Sequence, residues 1–181
     1  MQQLFNRPDG IVNQRDAENK WARAYHGYAG EAEDVSGDTI VTANMAGFRG
    51  ALTLFSAGAT AALTARRFES AFVSYWTGGV FGIGKLILSP PGGCPNVGGN
   101  GTWGSEVTSV VMTVVPNVLF SLLFREFQLV RSSDTAASKA SAIARAFHRA
   151  TTTAVKVLIT GVDTTPAPTG PLPITNTCAI R

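Results

Sequence analysis

The residues best spaced for chemistry in this sequence are Gly79, Gly84 and Lys85, which fit the phosphate-cradling pattern GxxxxGK. In that pattern backbone N–H groups wrap a phosphate at the start of a helix, and the lysine neutralises it. Two requirements are unmet. The next position is Leu86, where a Ser or Thr hydroxyl would hold Mg²⁺, and Pro90 and Pro91 leave the phosphate-binding helix no room to form. The spacing is there without its chemistry, so no nucleotide cofactor is expected.

The remaining reactive side chains are few and scattered. His26 has no companion three or four residues away, and His148 sits far along the chain beside Arg149. A metal centre needs convergent ligands at set spacing, so no metal is expected. Cys94 and Cys178 match no zinc pattern and make no disulfide framework, although one bridge tying the tail to the loop is compatible with the sequence. A Cys–His nucleophile pair can be drawn from either cysteine with either histidine, but nothing in the sequence brings them together. Glu31, Glu33, Asp34 and Asp38 read as a solvated acidic linker rather than a cation site. The expectation is a chain with no catalytic, cofactor-binding or metal-ligating residues, no small-molecule substrate, and no enzymatic activity.

Composition points in another direction. Of 181 residues, 45% are apolar and only 15% charged, against roughly 25% charged in an ordinary soluble domain. So few charges solvate the surface of a compact monomer poorly, which implies surface hidden against neighbouring subunits or in lipid. The net charge of +3 is mild, and the basic residues are dispersed singly or in pairs such as Arg66-Arg67. A nucleic-acid binder concentrates them on one face, so no specific nucleic acid is expected. Residues 1–20 lack the apolar stretch of a signal peptide, so synthesis in the cytoplasm with reduced thiols is expected. The sequon Asn100-Gly101-Thr102 then has no consequence.

The elements that must position any surface read mainly as helices. Residues 1–13 form an extended arm with a turn at Pro8-Asp9-Gly10. A first helix is predicted from Asp16 to Ala29, with Trp21, Tyr25 and Tyr28 on one face and Gly30 as its stop. After the acidic linker, Val41, Met45, Phe48, Leu52 and Phe55 are spaced four, three, four, three, which predicts a second helix with a narrow apolar seam. A third runs from Ala59 to Trp76, with Phe68, Phe72, Tyr75 and Trp76 on one side.

Residues 77–104 are rich in Gly, Pro and Asn and form a long loop, either a contact loop anchored by Trp103 or a flexible insertion. The run from Val107 to Phe124 is the most apolar and sits at the length threshold of a membrane span. It carries Thr108, Ser109, Thr113, Asn117 and Ser121, which lipid cannot satisfy, so a buried central helix kinked at Pro116 is expected. A last helix runs from a cap at Ser133 or Asp134 to Arg149. Thr151-Thr152-Thr153 and the run Val155 to Val162 are β-branched and read as a strand, the element at Val155 to Val162 pairing with Lys85–Leu88 or with a neighbour's strand.

The fold expected is therefore mainly α, a bundle of four to five helices with a small β element and extended N- and C-terminal arms. Residues 14–165 form one helix-rich domain, and residues 166–181 form a proline-rich arm. Its apolar groups suit an arm laid over a neighbouring subunit, making Pro168, Pro171, Leu172, Ile174 and Ile180, with Trp103, the candidate assembly contacts. The function expected is that of a structural subunit whose partners are copies of itself and other structural subunits. A virion component, such as a bacteriophage-like capsid, neck or tail protein, combines these traits. The alternative is a small membrane-associated protein that inserts residues 107–124.

Overall fold

The computed structural model describes residues 14–33, 39–52, 59–81, 96–98, 105–129, 134–163 and 172–180. The fold is mainly α, with five helices and a small antiparallel β part among the described residues. Helix α1 (Gln14–Ala29) buries Ala17, Trp21, Ala22, Tyr25 and Ala29 along one stripe. Asp16 and Lys20 pair on its outer side at 2.9 Å, and the Gly30 N–H closes its end on the His26 carbonyl at 2.8 Å.

The predicted second helix is shorter than its seam implied. Strand β1 (Ile40–Thr42) occupies the start of that stretch, and helix α2 covers only Met45–Ala51. The β-branched Ile40, Val41 and Thr42 favour extended backbone. Asn44 then resets the chain: its Oδ1 accepts from the Gly47 N–H at 2.9 Å, and its Nδ2 donates to the Ser74 carbonyl at 3.1 Å. Asn44 thus caps α2 and ties it to helix α3 (Ala61–Thr77). A Cβ at Gly78 would lie 2.3 Å from Asn44 Nδ2, so this tie requires glycine. Phe55 lies outside the described residues. Helix α3 keeps its predicted span and apolar face, burying Phe68, Phe72, Tyr75 and Trp76, with Thr60 accepting from the Leu63 N–H at its start.

Strand β2 (Val80–Phe81) pairs antiparallel with β1. A four-stranded antiparallel sheet is built from β3 (Asn96–Gly98), β4 (Ser105–Val114), β5 (Val155–Asp163) and β6 (Leu172–Ala179), in the order β3-β6-β5-β4.

The segment from Val107 to Phe124 corrects the expectation of one buried helix. It is a strand up to Val114, a corner at Val115–Asn117, and then helix α4 (Val118–Gln128). From Val107 to Val115 every residue except Ser109 and Met112 is β-branched, which stiffens χ1 and favours the pleated strand. Pro116 holds Val115 extended and cannot continue the ladder, and Asn117 turns the chain in the left-handed region at φ 67°. Among the described residues, no helix is long and apolar enough to cross a membrane.

Helix α5 (Ala136–Ala154) starts at Thr135 rather than Ser133 or Asp134, through a reciprocal capping box with Ser138. It also runs past Arg149 through the three threonines read as strand. Thr152 Oγ1 donates to the His148 carbonyl at 3.1 Å and Thr153 Oγ1 to that of Arg149 at 2.6 Å, so their hydroxyls are satisfied within the helix. Thr151 points into the core. Strand β5 begins only after Ala154, at Val155, and covers the run predicted as strand from Val155 to Val162.

Helix α4 is held at both ends by its neighbours. Asn117 supplies no side-chain cap. Glu69 of α3, only 7% exposed, accepts instead from the backbone N–H groups of Asn117 at 2.6 Å and Phe120 at 2.8 Å. Arg66, about one turn earlier on α3, donates to Asn117 Oδ1 and lays its guanidinium 3.7 Å over the Phe120 ring. At the other end Lys139 of α5 donates to the carbonyls of Glu126 and Leu129 and pairs with Asp134 at 2.9 Å. An anion at the N-terminus and a cation at the C-terminus both oppose the helix dipole favourably.

Candidate interaction surface

The two histidines singled out as reactive are engaged in hydrogen bonds between helices, around a buried aromatic cluster. Tyr25 lies at the centre of an aromatic cluster, with the rings of Phe48, Tyr75 and Phe147 at 5.2, 5.0 and 5.0 Å from its own. Its hydroxyl accepts from Trp76 Nε1 at 2.6 Å and shares a proton with Thr151 Oγ1 at 3.0 Å. The two histidines face separate tyrosines: His26 Nδ1 is 2.8 Å from the Tyr75 hydroxyl, and His148 Nδ1 is 2.8 Å from that of Tyr28. Burial pushes the Tyr25 and Tyr75 hydroxyls above the ordinary tyrosine range, which keeps them protonated as hydrogen-bonding groups. These contacts tie α1 to α3 and α5.

Gly79 has a packing role. A Cβ there would lie 2.6 Å from the Thr42 carbonyl oxygen and 3.0 Å from the Met112 methyl, so its backbone is pressed between β1 and β4. Residues Gly82 to Lys85 and Cys94 lie outside the described residues. Among the described residues, no group of three His, Cys, Asp or Glu side chains converges as a metal site.

What the fold does present is an open sheet face. The register sets Val111 opposite Leu158 and Leu158 opposite Thr177, and in the next row Thr113 opposite Lys156 and Lys156 opposite Ala179. The alternate residues Met112 and Val157 point the other way and are buried against the helices, at 5% and 1% exposure. Val111 is 47% exposed, and Thr113 and Thr177 are also exposed. Lys156 is the one charged side chain among these outer-face residues. The solvated face of an antiparallel sheet ordinarily alternates to polar and charged residues; here it is aliphatic and hydroxyl-bearing. Exposed Val115 continues it at the corner, and exposed Val41 and Val80 lie on the adjoining β1–β2 pair.

A second surface feature lies between α1 and α2. An open cleft of about 350 Å³ is lined by Asn19, Ala22, Arg23, Met45, Ala46 and Arg49. Arg49 Nη1 donates to Asn19 Oδ1 at 3.1 Å.

The predicted assembly contacts divide between the sheet, the core and segments not described. Trp103, Pro168 and Pro171 lie outside the described residues. Leu172 and Ile174 belong to β6, opposite Asp163 and Gly161 of β5, and Ile174 is also opposite Gly98 of β3. Ile180 is 2% exposed and belongs to the core. From 172 to 179 the expected arm is thus extended, and its partners are β5 and β3 of the same chain. Past Pro173 the alternation Ile174-Thr175-Asn176-Thr177-Cys178-Ala179-Ile180 is a strand signal, outweighed in the sequence reading by the prolines before it. The open face itself had a weaker signal: the threonines and valines of β4 and β5 alternate in register only once the two strands are known to pair. The chain matches no protein-family model, no curated protein and no solved structure with which it was compared.

Proposed function

We propose that this chain is a structural, non-enzymatic subunit of a larger homo- or hetero-oligomeric assembly, its partners being further copies of itself and other structural subunits. The observation that carries this reading is the part of the outer sheet face where Val111, Leu158, Thr113, Thr177 and Ala179 surround Lys156. A face so poor in charge is more stable covered than solvated, by roughly 25 cal/mol for each Å² of apolar surface removed from water. It gives a location to the charge deficit of the whole chain, where only 15% of residues are charged. Both histidines and the buried Glu69 serve hydrogen bonds that hold helices together, which suits a scaffold rather than a catalyst. A virion component, of bacteriophage-like capsid, neck or tail type, is the form of assembly that best fits the low charge, the glycine-rich stretch at 77–104 and the extended C-terminal strand.

Absolute mass in solution, measured by light scattering on protein purified without detergent, tests the reading. A discrete multiple of 19.0 kDa is expected, with rings or tubes in negative-stain micrographs for the virion form. A monodisperse 19.0 kDa species at all concentrations would overturn it.

A further inference from the structure

The cleft between α1 and α2 and the segment after α1 carry opposite charges that form no ion pair among the described residues. Arg23 and Arg49 are both exposed and line the same cleft, and among the described residues no acidic side chain lines it with them. Arg49 is steadied by Asn19, which fixes one of its N–H groups and leaves the rest of the fork available. Ala22, Ala46 and Met45 supply an apolar floor. Two guanidinium groups over such a floor suit a carboxylate, which each can take in a charge-assisted, two-pronged hydrogen bond.

The complementary feature begins just past the end of α1. Glu31 and Glu33 are exposed on either side of Ala32, which is buried and anchors the segment. An antiparallel bridge between Glu33 and Thr39 closes the base of the stretch that also contains Asp34 and Asp38 in sequence. The two ion pairs formed among the described residues, Asp16–Lys20 and Asp134–Lys139, use none of Arg23, Arg49, Glu31 or Glu33. Within one chain these charges remain apart: Arg23 and Glu31 are separated by about two turns of helix, on the order of 12 Å.

We infer that the Arg23–Arg49 cleft is a subunit contact that receives Glu31 and Glu33 of a second copy of this chain. The inference rests on the structural-subunit reading and names the partner and one of the surfaces it uses. Because the two patches differ, the contact either closes as a two-fold pair or repeats head to tail into a ring or tube.

Paired charge reversals in the full-length chain test it. One variant carries Arg23→Glu and Arg49→Glu, so its cleft repels its own acidic segment; the other carries Glu31→Lys and Glu33→Lys, so its segment repels its own cleft. All four residues are exposed, and circular dichroism should report the same helical content as the parent. Each variant alone should need about tenfold or more higher protein concentration to assemble. Mixing the two should restore assembly, since each then finds a matching patch on the other. Raised salt should lower the mass of the parent assembly in the same direction. A monomeric parent would overturn the contact together with the reading it rests on. A parent that assembles, with variants that assemble equally well alone, would overturn the contact and leave that reading standing. If a variant misfolds, an unchanged parent mass in high salt would overturn the contact by itself.

Discussion

The helical side of the molecule and its sheet solve the same problem in opposite ways. Between α1, α3 and α5 the interior is built from large rings whose polar atoms pair with one another or with their neighbours: Trp76 to Tyr25, Tyr25 to Thr151, Tyr75 to His26. That ring cluster closes on itself within one chain. The sheet buries Met112, Val155 and Val157 against the helices, yet at positions 111, 113, 156, 158, 177 and 179 its other face carries valine, leucine, threonine and alanine with one lysine. The difference separates two kinds of apolar surface, one that makes the fold and one that the fold leaves over. It implies that substitutions on the two sides should separate stability from association.

The largest effect should come from opening the ring cluster. Trp76→Ala removes a fully buried ring and the donor to the Tyr25 hydroxyl, and should cost about 3–5 kcal/mol, read as a lowered melting temperature. Glu69→Ala should come next, at about 2 kcal/mol, because two backbone N–H groups at the start of α4 lose a charged acceptor. Urea denaturation should show a lower midpoint with an unchanged slope.

The third effect is one of pH. The hydroxyls of Tyr25 and Tyr75 are raised in the fold by burial, so above the ordinary tyrosine value of about 10 the unfolded chain releases protons that the folded chain holds. Their contribution is complete below that value and is lost as pH rises above it. Alkaline unfolding should therefore be steeper in the parent than in Tyr75→Phe. The smallest change in stability should come from the sheet: Val111→Lys with Thr113→Lys should lie within about 0.5 kcal/mol of the parent, while the mass in solution falls. Equal losses of stability on both sides would break the comparison.

Local sequence was enough where one face had a dominant period. Trp21 and Tyr25, or Phe68, Phe72, Tyr75 and Trp76, announce their helices because large rings at helical spacing have no other common use. The run from Val107 to Phe124 was misread because a continuous apolar stretch has no period to distinguish helix from strand, so β-branching had to decide and was underweighted. The seam from Val41 to Phe55 misled for the reverse reason: the spacing was helical, but Asn44 bonds to both Gly47 and Ser74 and so begins the helix late. Thr151 to Thr153 look like strand by type and are helix because their hydroxyls find partners there. The open face was invisible for a different reason. It exists only through the pairing of β4, β5 and β6, and no residue in one strand specifies its opposite in another. Arg23 and Arg49 are likewise brought to one cleft by the packing of α1 on α2.

The capping of α4 from outside also bears on the order of events in folding. A helix of 11 residues is too short to persist alone in water, and α4 carries none of its own cap. Its first turn waits for Glu69, 48 residues earlier in the chain, and its last for Lys139. Docking of α3 and α5 must therefore precede or accompany α4, which becomes a late and conditional element rather than a nucleus. In the native state the same dependence makes α4 a natural unit of partial opening, its amide hydrogens exchanging with solvent before those of the helices that hold it.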